Sequence, residues 1–268
     1  MKKTYSLSHR KYLNKLRRNS FFIQFFRILL LVSIIGIWEL IAHLQLVDPF
    51  LISSPSRIVN TFVSLVSEGT LWEHMWVTLY ETLLAFLISS LLGAIIAIIL
   101  YLIPAVRKVL EPYLIILNSL PKIALGPLII VWVGIGTKAT VTMGILICIV
   151  ITTISLLNGF LEVDEEKKKL LKTMGANNWQ ILSHLIIPAT LPNFISVLKI
   201  NVGMSWVGVI MGEYLSSKAG LGYLIVYGGQ VFKLDLVMTS IVVLCILAGV
   251  MYGLIAMLEK YINKKRNL

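Results

Sequence analysis

The chain has 268 residues, of which 57% are hydrophobic, and a mean hydropathy of +0.87. Soluble domains contain roughly 45–50% apolar residues, so this composition excludes a soluble globular protein and indicates an integral membrane protein. The formal net charge of +11 does not indicate a nucleic-acid partner, because the basic residues lie between apolar segments and at the chain ends, where they orient membrane proteins. Cys148 and Cys245 each lie inside an apolar segment, which gives neither a disulfide framework nor metal-ligand spacing.

A basic tail, Met1–Arg27, precedes the first long apolar segment. Its pattern is typical either of an amphipathic helix along the inner membrane surface or of disorder. We therefore divide the chain into a cytoplasmic tail, residues 1–27, and a transmembrane domain, residues 28–268. Two amphipathic segments, Arg57–Ser67 and Leu71–Thr82, precede the second span. Six apolar segments are long enough for a bilayer span of ~20 residues: Ile28–Val47, Leu83–Ile103, Pro112–Val133, Ala139–Asn158, Ala189–Gly212 and Leu234–Met257.

The distribution of basic residues orients these six spans. If the N-terminus is cytoplasmic, 18 of the 24 Lys and Arg residues lie in cytoplasmic segments and four in outer segments. Cytoplasmic segments of membrane proteins carry an excess of Lys and Arg. The sequence thus predicts an all-α membrane protein of about six transmembrane helices with both termini in the cytoplasm.

The third span is interrupted near its middle. Pro121 removes a backbone donor, and Gly126 and Pro127 loosen the helix again, which frees carbonyl groups near Asn118 and Lys122. Because Asn118 and Lys122 are four residues apart, they share a helix face and could contact a transported solute together. A kink that only shapes packing is the alternative.

A polar island, Gly159–Pro188, lies between the fourth and fifth spans. Asp164 is placed to cap a short helix, and Gly175 is placed to end it in the left-handed conformation. Leu170, Leu171 and Met174 share one face of this helix, with lysines elsewhere, so an apolar knob is presented within a basic surround. An ordinary charged loop between spans is the alternative.

A second short helix is predicted after Gly175. Asn177 or Asn178 caps it, its apolar residues recur at helical spacing, and Pro188 marks the next break. The polar island is therefore predicted to fold as helix, glycine hinge and helix.

Lys199 lies inside the fifth span, where a charge costs at least ~2.5 kcal/mol and is retained for a partner or a pathway. It shares a helical stripe with Gly203, Trp206 and other residues, which we expect to face the central pathway or a second permease subunit. An ammonium group there could attract an anionic solute. The equal alternative is an ion pair with Glu39 or Glu81.

The chain carries no motif for its own energy supply. A GxxxxGK[ST] phosphate-binding loop is absent, since Gly is nowhere followed by Lys, and the four histidines are scattered. An intramembrane enzyme is therefore unsupported, and any ATP-driven process needs a partner.

Four stretches carry a family resemblance. One stretch resembles the cytoplasmic loop signature of ABC importer permeases: Gly175, nine further residues, and then Leu185, Ile187 and Pro188. The segments IWELIAHLQLVDPFLISSPSRI, SLPKIALGPLIIVWVGIG and GEYLSSKAGLGYLI resemble the nitrate, sulfonate and taurine branch of binding-protein-dependent permeases. The loop signature usually begins with Glu-Ala-Ala, whereas this chain has Lys169, Leu170 and Leu171.

The resemblance implies a type I ABC importer permease fold in a bacterial plasma membrane. It implies that the chain is not an enzyme and has no cofactor of its own, because separate ATPase subunits bind ATP and Mg. It also implies two further partners, an extracytoplasmic solute-binding protein and a second copy of the permease. It also implies two sets of functional residues. The ATPase-coupling set is Lys169, Leu170, Leu171, Met174, Gly175, Leu185, Ile187 and Pro188, and the receptor-docking set is Glu213, Tyr214, Gly220 and Gly222.

The translocation pathway is assigned to Asn118, Pro121, Lys122, Lys199, Gly203 and Trp206. The expected solute is a small anion of the sulfonate, taurine or nitrate type. Two alternatives stay open: a stand-alone ion-coupled secondary transporter, and an ABC permease for a thiamine pyrimidine precursor. Secondary carriers usually show inverted repeats and paired intramembrane carboxylates, and neither is visible in this sequence.

Overall fold

The structure is a computed structural model that describes residues 7–46 and 53–266. Within those ranges every regular element is helical, as predicted for an all-α membrane protein. The helices are α1 Leu7–His43, α2 Pro55–Ser67, α3 Thr70–Leu102, α4 Pro104–Ser119, α5 Gly126–Val133, α6 Thr137–Leu161, α7 Glu165–Thr173, α8 Asn178–Ser216, α9 Leu221–Gln230 and α10 Leu234–Arg266, with a 3₁₀ turn at Lys122–Leu125.

In the described part of the chain, five helices are long and apolar enough to cross a membrane: α1 from Phe22, α3, α6, α8 and α10. The sixth crossing is the pair α4 and α5, which meet at an angle of 87°. The Gly136 amide, just after α5, donates to the Ser216 carbonyl at the end of α8, 3.2 Å away. The bent pair therefore runs from the end of α3 to the end of α8, as a single broken span would, which agrees with the prediction of about six spans.

Several predicted boundaries were wrong. The third span starts at Pro104, and Pro112 lies inside α4. The amphipathic segment Leu71–Thr82 and the second span form one 33-residue helix, α3. Helix α1 passes through Arg27 without a break, and the division into a tail and a transmembrane domain at this residue stays a prediction. Val47, the predicted last residue of the first span, lies outside the described residues.

Helices α3, α6 and α8 form the centre of the bundle. Helix α6 packs along both of the others, and 56% of its most apolar stretch is buried, against 6% for α1. Glycine allows the α6–α8 crossing, since a Cβ added to Gly208 would lie 2.6 Å from the Gly144 Cα. Such close contact between small residues is typical of helix packing in membranes.

A buried amide links these three helices. Asn201 of α8 donates to the Ser90 hydroxyl of α3 at 3.0 Å and to the Thr152 hydroxyl of α6 at 2.7 Å. All three side chains are buried. Because hydrocarbon offers no other hydrogen-bond partners, this network fixes the register of the three helices.

Candidate coupling surface and translocation path

Helix α7 begins and ends as the sequence predicts. The Asp164 side chain accepts from the Glu166 amide at 2.8 Å, which satisfies one of the free donors at the helix start. Gly175 has a φ of +86°, and its amide donates to the Lys172 carbonyl while the Ala176 amide donates to the Leu171 carbonyl. These two bonds form a Schellman motif, so the left-handed backbone at Gly175 sets the direction of the hinge.

Asn177, not Asn178, caps the second helix. Its side chain accepts from the Gln180 amide, and the Gln180 side chain accepts from the Asn177 amide, both at 2.8 Å. This capping box satisfies two donors reciprocally. The predicted order of helix, glycine hinge and helix is confirmed.

The predicted break at Pro188 was wrong, because α8 continues through it. The turn before it, Leu182–Ile186, is a π-helix in which the Ile187 amide reaches back to the Leu182 carbonyl. Proline lacks an amide hydrogen and clashes with the carbonyl four residues earlier in a regular helix. The wider turn accommodates these two defects, so the polar island joins the fifth span without a loop.

The apolar knob is exposed but smaller than predicted. Leu170 and Met174 are 60% and 75% exposed, whereas Leu171 packs inward on a cluster that includes Leu182. Of the remaining residues of the predicted coupling set, Lys169, Gly175, Ile187 and Pro188 are exposed and Leu185 is half-buried. Trp179, which the coupling set omitted, is 60% exposed beside the hinge and adds an aromatic ring to this surface.

One lysine of the polar island is buried against expectation. Lys168 is 6% exposed, and its Nζ donates to the Glu165 carboxylate at 3.0 Å and to the Leu161 carbonyl at 3.3 Å. The hydrogen bond from Lys168 holds the pKa of Glu165 below its ordinary value. The ion pair lies within α7, and the hydrogen bond to the Leu161 carbonyl ties α7 to the inner end of α6.

At the bend of the third span, the structure brings the predicted groups together. Lys122 Nζ donates to the Asn118 carbonyl at 3.1 Å, a group left without its helical donor because α4 ends before Pro121. Lys122 also lines an otherwise mostly apolar cavity of about 270 Å³ between α3, α4 and α6. Within the described ranges no carboxylate forms an ion pair with this ammonium group.

Lys199 forms an ion pair, though not with Glu39 or Glu81. Both oxygens of Glu259, on α10, lie 2.9 Å from its Nζ. Glu39 instead accepts from the amide and hydroxyl of Ser56, which ties α1 to α2. The lysine charge is therefore neutralised within this chain.

The stripe of α8 that was predicted to face a pathway does not stay on one exposed surface. Gly203 is exposed, but Trp206 is 3% exposed and packs against Phe86, Val202 and Met251. Lys122 and Lys199 contact different helices. The structure thus separates the predicted pathway residues into the bend of the third span and the contact between α8 and α10.

Three of the four predicted receptor-docking residues are buried within the chain. The Gly222 amide donates to the Glu213 carboxylate, and a Cβ on Gly220 would collide with that carboxylate. Glu213, Gly220 and Gly222 are buried, and only Tyr214 is exposed. Of this set, only Tyr214 therefore presents a side chain at the surface of the chain, and receptor docking at this end of α8 stays a prediction.

These buried groups cap the start of α9. The Gly220 amide donates to His74 Nδ1 at 3.0 Å, and the Leu221 amide donates to the Thr78 hydroxyl at 2.7 Å. Together, the side chains of His74, Thr78 and Glu213 accept hydrogen bonds from three successive amides, those of residues 220–222. These bonds satisfy free donors at the N-terminus of α9. The sequence offered no local signal for His74 and Thr78, because they lie more than 140 residues from the amides that they bind.

Comparison with known proteins decides the family. The family model described as binding-protein-dependent transport system inner membrane component matches residues 89–267, two thirds of the chain. The chain belongs to this family. The match includes the bend of the third span, the polar island and the ion pair between α8 and α10, so the permease surfaces described above lie inside the family region.

Relatives and solved structures agree with this assignment. The permease is 27% identical to the taurine transport system permease protein TauC of Escherichia coli, over 81% of each chain, and 28% identical to the putative aliphatic sulfonates transport permease protein SsuC of Bacillus subtilis, over 90% of this chain and 87% of the relative. A chain of the inward-facing MetNI methionine ABC transporter superposes with a TM-score of 0.64 at 21% identity, covering 72% of the permease and 98% of that chain. A chain of a bacterial alginate ABC transporter gives 0.67 at 14% identity, covering 95% and 97%. The fold is that of type I ABC importer permeases.

Proposed function

We propose that this permease forms the membrane path of an ATP-driven importer for a small anionic solute of the sulfonate, taurine or nitrate type. Its partners are separate ATPase subunits, which supply ATP and Mg, an extracytoplasmic solute-binding protein and a second permease copy. The setting is a bacterial inner membrane. The named transport substrates of TauC and SsuC, taurine and aliphatic sulfonates, support the solute class.

The observation that carries the ATP-driven mechanism is the exposed apolar surface at the hinge. Leu170, Met174 and Trp179 are each at least 60% exposed on a segment that the membrane cannot cover. Large apolar side chains of this kind, grouped on one surface, mark sites of protein association. The rigid caps at Asp164 and Asn177 on either side of Gly175 let this surface move as a unit with a partner.

Movement at the hinge reaches the membrane directly. Helix α8 carries the second cap and continues as the fifth span, while Lys168 connects α7 to α6. Displacement of the coupling surface by an ATPase therefore changes the packing of α6 and α8, which is the two-state element that alternating access needs.

The cation that meets an anionic solute is Lys122 rather than Lys199. Glu259 neutralises the charge of Lys199, whereas the ammonium group of Lys122 donates to the Asn118 carbonyl and lines a cavity at the bend of the third span. A broken helix that lines a cavity is where membrane proteins tolerate free backbone groups and bind polar solutes.

Coupling is tested by reconstituting the permease with its ATPase and binding protein in proteoliposomes. Leu170→Asp and Met174→Asp should abolish ATP-dependent uptake and ATPase co-purification, because each places a carboxylate in the apolar contact. Lys167→Asp places a carboxylate on the same helix at an exposed position outside the knob, with an even larger change of charge, and should retain both. Uptake that needs no ATPase would contradict the proposal and favour an ion-coupled carrier.

Solute class is tested with Lys122→Gln. Loss of a charge-assisted bond of about 1.5–3 kcal/mol should raise the KM for the anion by roughly tenfold or more, and Lys122→Arg should restore most of it. Lys138→Gln, an exposed lysine near the outer end of α6, is the matched control. Calorimetry on the binding protein should show tight binding of a sulfonate, taurine or nitrate; exclusive binding of a thiamine pyrimidine precursor would contradict the anion assignment.

A further inference from the structure

A basic cavity lies behind helix α7, on the side opposite to the apolar knob. It has a volume of about 310 Å³, near the lower end of the range for small-molecule sites, roughly 300–1,000 Å³. The inner ends of α3 and α6, the first turn of α4, and α7 with the start of α8 enclose it. Its polar and charged side chains, which define the inner cleft, include Tyr101, Arg107, Glu165, Lys168, Lys169 and Lys172.

The charges in the inner cleft do not balance. Four cations and one carboxylate line it, and that carboxylate, Glu165, is already bound to the buried Lys168. In the part of the chain that the structure describes, Arg107, Lys169 and Lys172 have no ion-pair partner. Three unpaired cations around one cavity create a positive potential that attracts an anion.

The backbone adds to this potential. Helix α4 has 16 residues and begins at Pro104, which lines the inner cleft, and no side chain caps its N-terminus. The partial positive charge of a helix N-terminus favours phosphate and other anions. Arg107 extends from the first turn of this helix, so its guanidinium and the helix dipole act on the same site.

The depth of the inner cleft makes a lipid headgroup one source of the anion. Tyr101 and Leu161 are at or next to the last residues of two membrane spans, and the polar island begins immediately beyond. This level is that of the lipid headgroups on the cytoplasmic face, where anionic lipids attract Lys and Arg.

We propose that the inner cleft binds a phosphate group. The ligand is an anionic phospholipid headgroup of the inner leaflet or free inorganic phosphate, two sources of the same chemistry. The phosphate accepts from Arg107 on one wall and from Lys169 and Lys172 on the other. It thereby connects α4, which leads to the bend of the third span, with α7, which carries the coupling surface.

This site does not depend on the proposed function; only its effect on transport does. A phosphate held between α4 and α7 adds a link between the coupling surface and the translocation path, which biases the packing of the spans. The rate of transport by the reconstituted importer should therefore differ between anionic and zwitterionic membranes.

Binding is measured on the permease alone, so it stays separate from transport. The full chain is placed in nanodiscs of phosphatidylcholine with or without phosphatidylglycerol, or in detergent with inorganic phosphate, and its thermal unfolding and bound lipid are recorded. Arg107→Gln combined with Lys172→Gln should weaken binding of the effective probe by roughly tenfold or more. Lys260→Gln combined with Lys264→Gln, two exposed cations near the inner end of α10, should leave it unchanged.

The probe that protects the permease identifies the source of the phosphate. Protection by phosphatidylglycerol alone assigns the site to lipid, and protection by inorganic phosphate that competes with it assigns the site to free phosphate. Equal binding to the two double variants would overturn the proposal, as would complete displacement of the probe by added ATPase, which would make the inner cleft part of the subunit interface. The single variants Arg107→Gln and Lys172→Gln provide the same test if the double variant fails to fold.

Discussion

The crossing of α6 and α8 allows a sharp test at Gly208. A Cβ added there would lie 2.6 Å from the Gly144 Cα and 3.1 Å from the Gly144 nitrogen. Both neighbours are backbone atoms, so no side-chain rotation can relieve the contact. Carbon atoms pack at about 3.5–4.0 Å, and Gly208→Ala must therefore separate the helices by about 1 Å.

Overpacking of this kind costs typically about 1–3 kcal/mol. The separation has a second effect on the buried amide network, two turns away on α8. The bond from Asn201 to Thr152 is 2.7 Å long, and a uniform separation of ~1 Å would take it beyond hydrogen-bonding distance. We therefore expect Gly208→Ala to lie toward the upper part of that range.

The measurement is thermal unfolding of the purified permease in detergent, at roughly 2–4 °C per kcal/mol for a chain of this size. Gly203→Ala is the matched control, because Gly203 lies on the same helix with nothing within 4 Å of an added Cβ. Alanine is the better helix former, so the control should unfold at the same or a higher temperature. If Gly208→Ala unfolds at the same temperature as Gly203→Ala, α6 and α8 do not cross at this point and the described packing is wrong.

Three further predictions concern the ion pairs and the hinge. Lys199→Met and Glu259→Met should each lower thermal stability, while the double variant recovers most of the loss, with a coupling energy of about 0.5–3 kcal/mol in a double-mutant cycle; additive losses would show that the pair is not formed. The lowered pKa of Glu165 means that its pairing with Lys168 stabilises α7 above the ordinary glutamate pKa of about 4.3 and is lost as pH falls through the folded value. As the pH falls through the folded pKa of Glu165, hydrogen exchange of the α7 amides, corrected for intrinsic rates, should become faster. Glu165→Gln should remove this pH dependence. Gly175→Val should uncouple ATP hydrolysis from uptake, because a β-branched residue resists a φ of +86°; unchanged uptake per ATP would remove the hinge argument.

Local signals in the sequence predicted the caps and the glycine hinge of the polar island, but not the helix that continues through Pro188 or the burial of Lys168. Asp164 and Gly175 act within one turn of their own positions, through bonds to neighbouring amides and carbonyls. Pro121 likewise determines a bend that needs no distant partner. For such elements the chemistry of a few adjacent residues is sufficient, so the caps, the hinge and the bend of the third span could be derived without a structure.

Contacts between helices could not be derived in the same way. Lys199 and Glu259 are 60 residues apart, and the position of Glu259 just after the last apolar segment does not indicate which neighbour it reaches. Asn201 carried a usable signal, because an amide inside an apolar span needs a partner, but its partners Ser90 and Thr152 follow only from the arrangement of three helices. Glu213 was assigned to the surface for the same reason: the sequence does not show which face of a span is covered.

The π turn at Leu182–Ile186 affects how substitutions along α8 should be compared. Regular helices rotate by about 100° for each residue, and a π turn accommodates one residue more than the helix on either side of it. Positions before Leu182 and after Ile186 are therefore out of phase by about that angle. A helical wheel drawn through the whole of α8 assigns its cytoplasmic end to the wrong face, so scanning mutagenesis of this helix needs two separate wheels that meet at the turn.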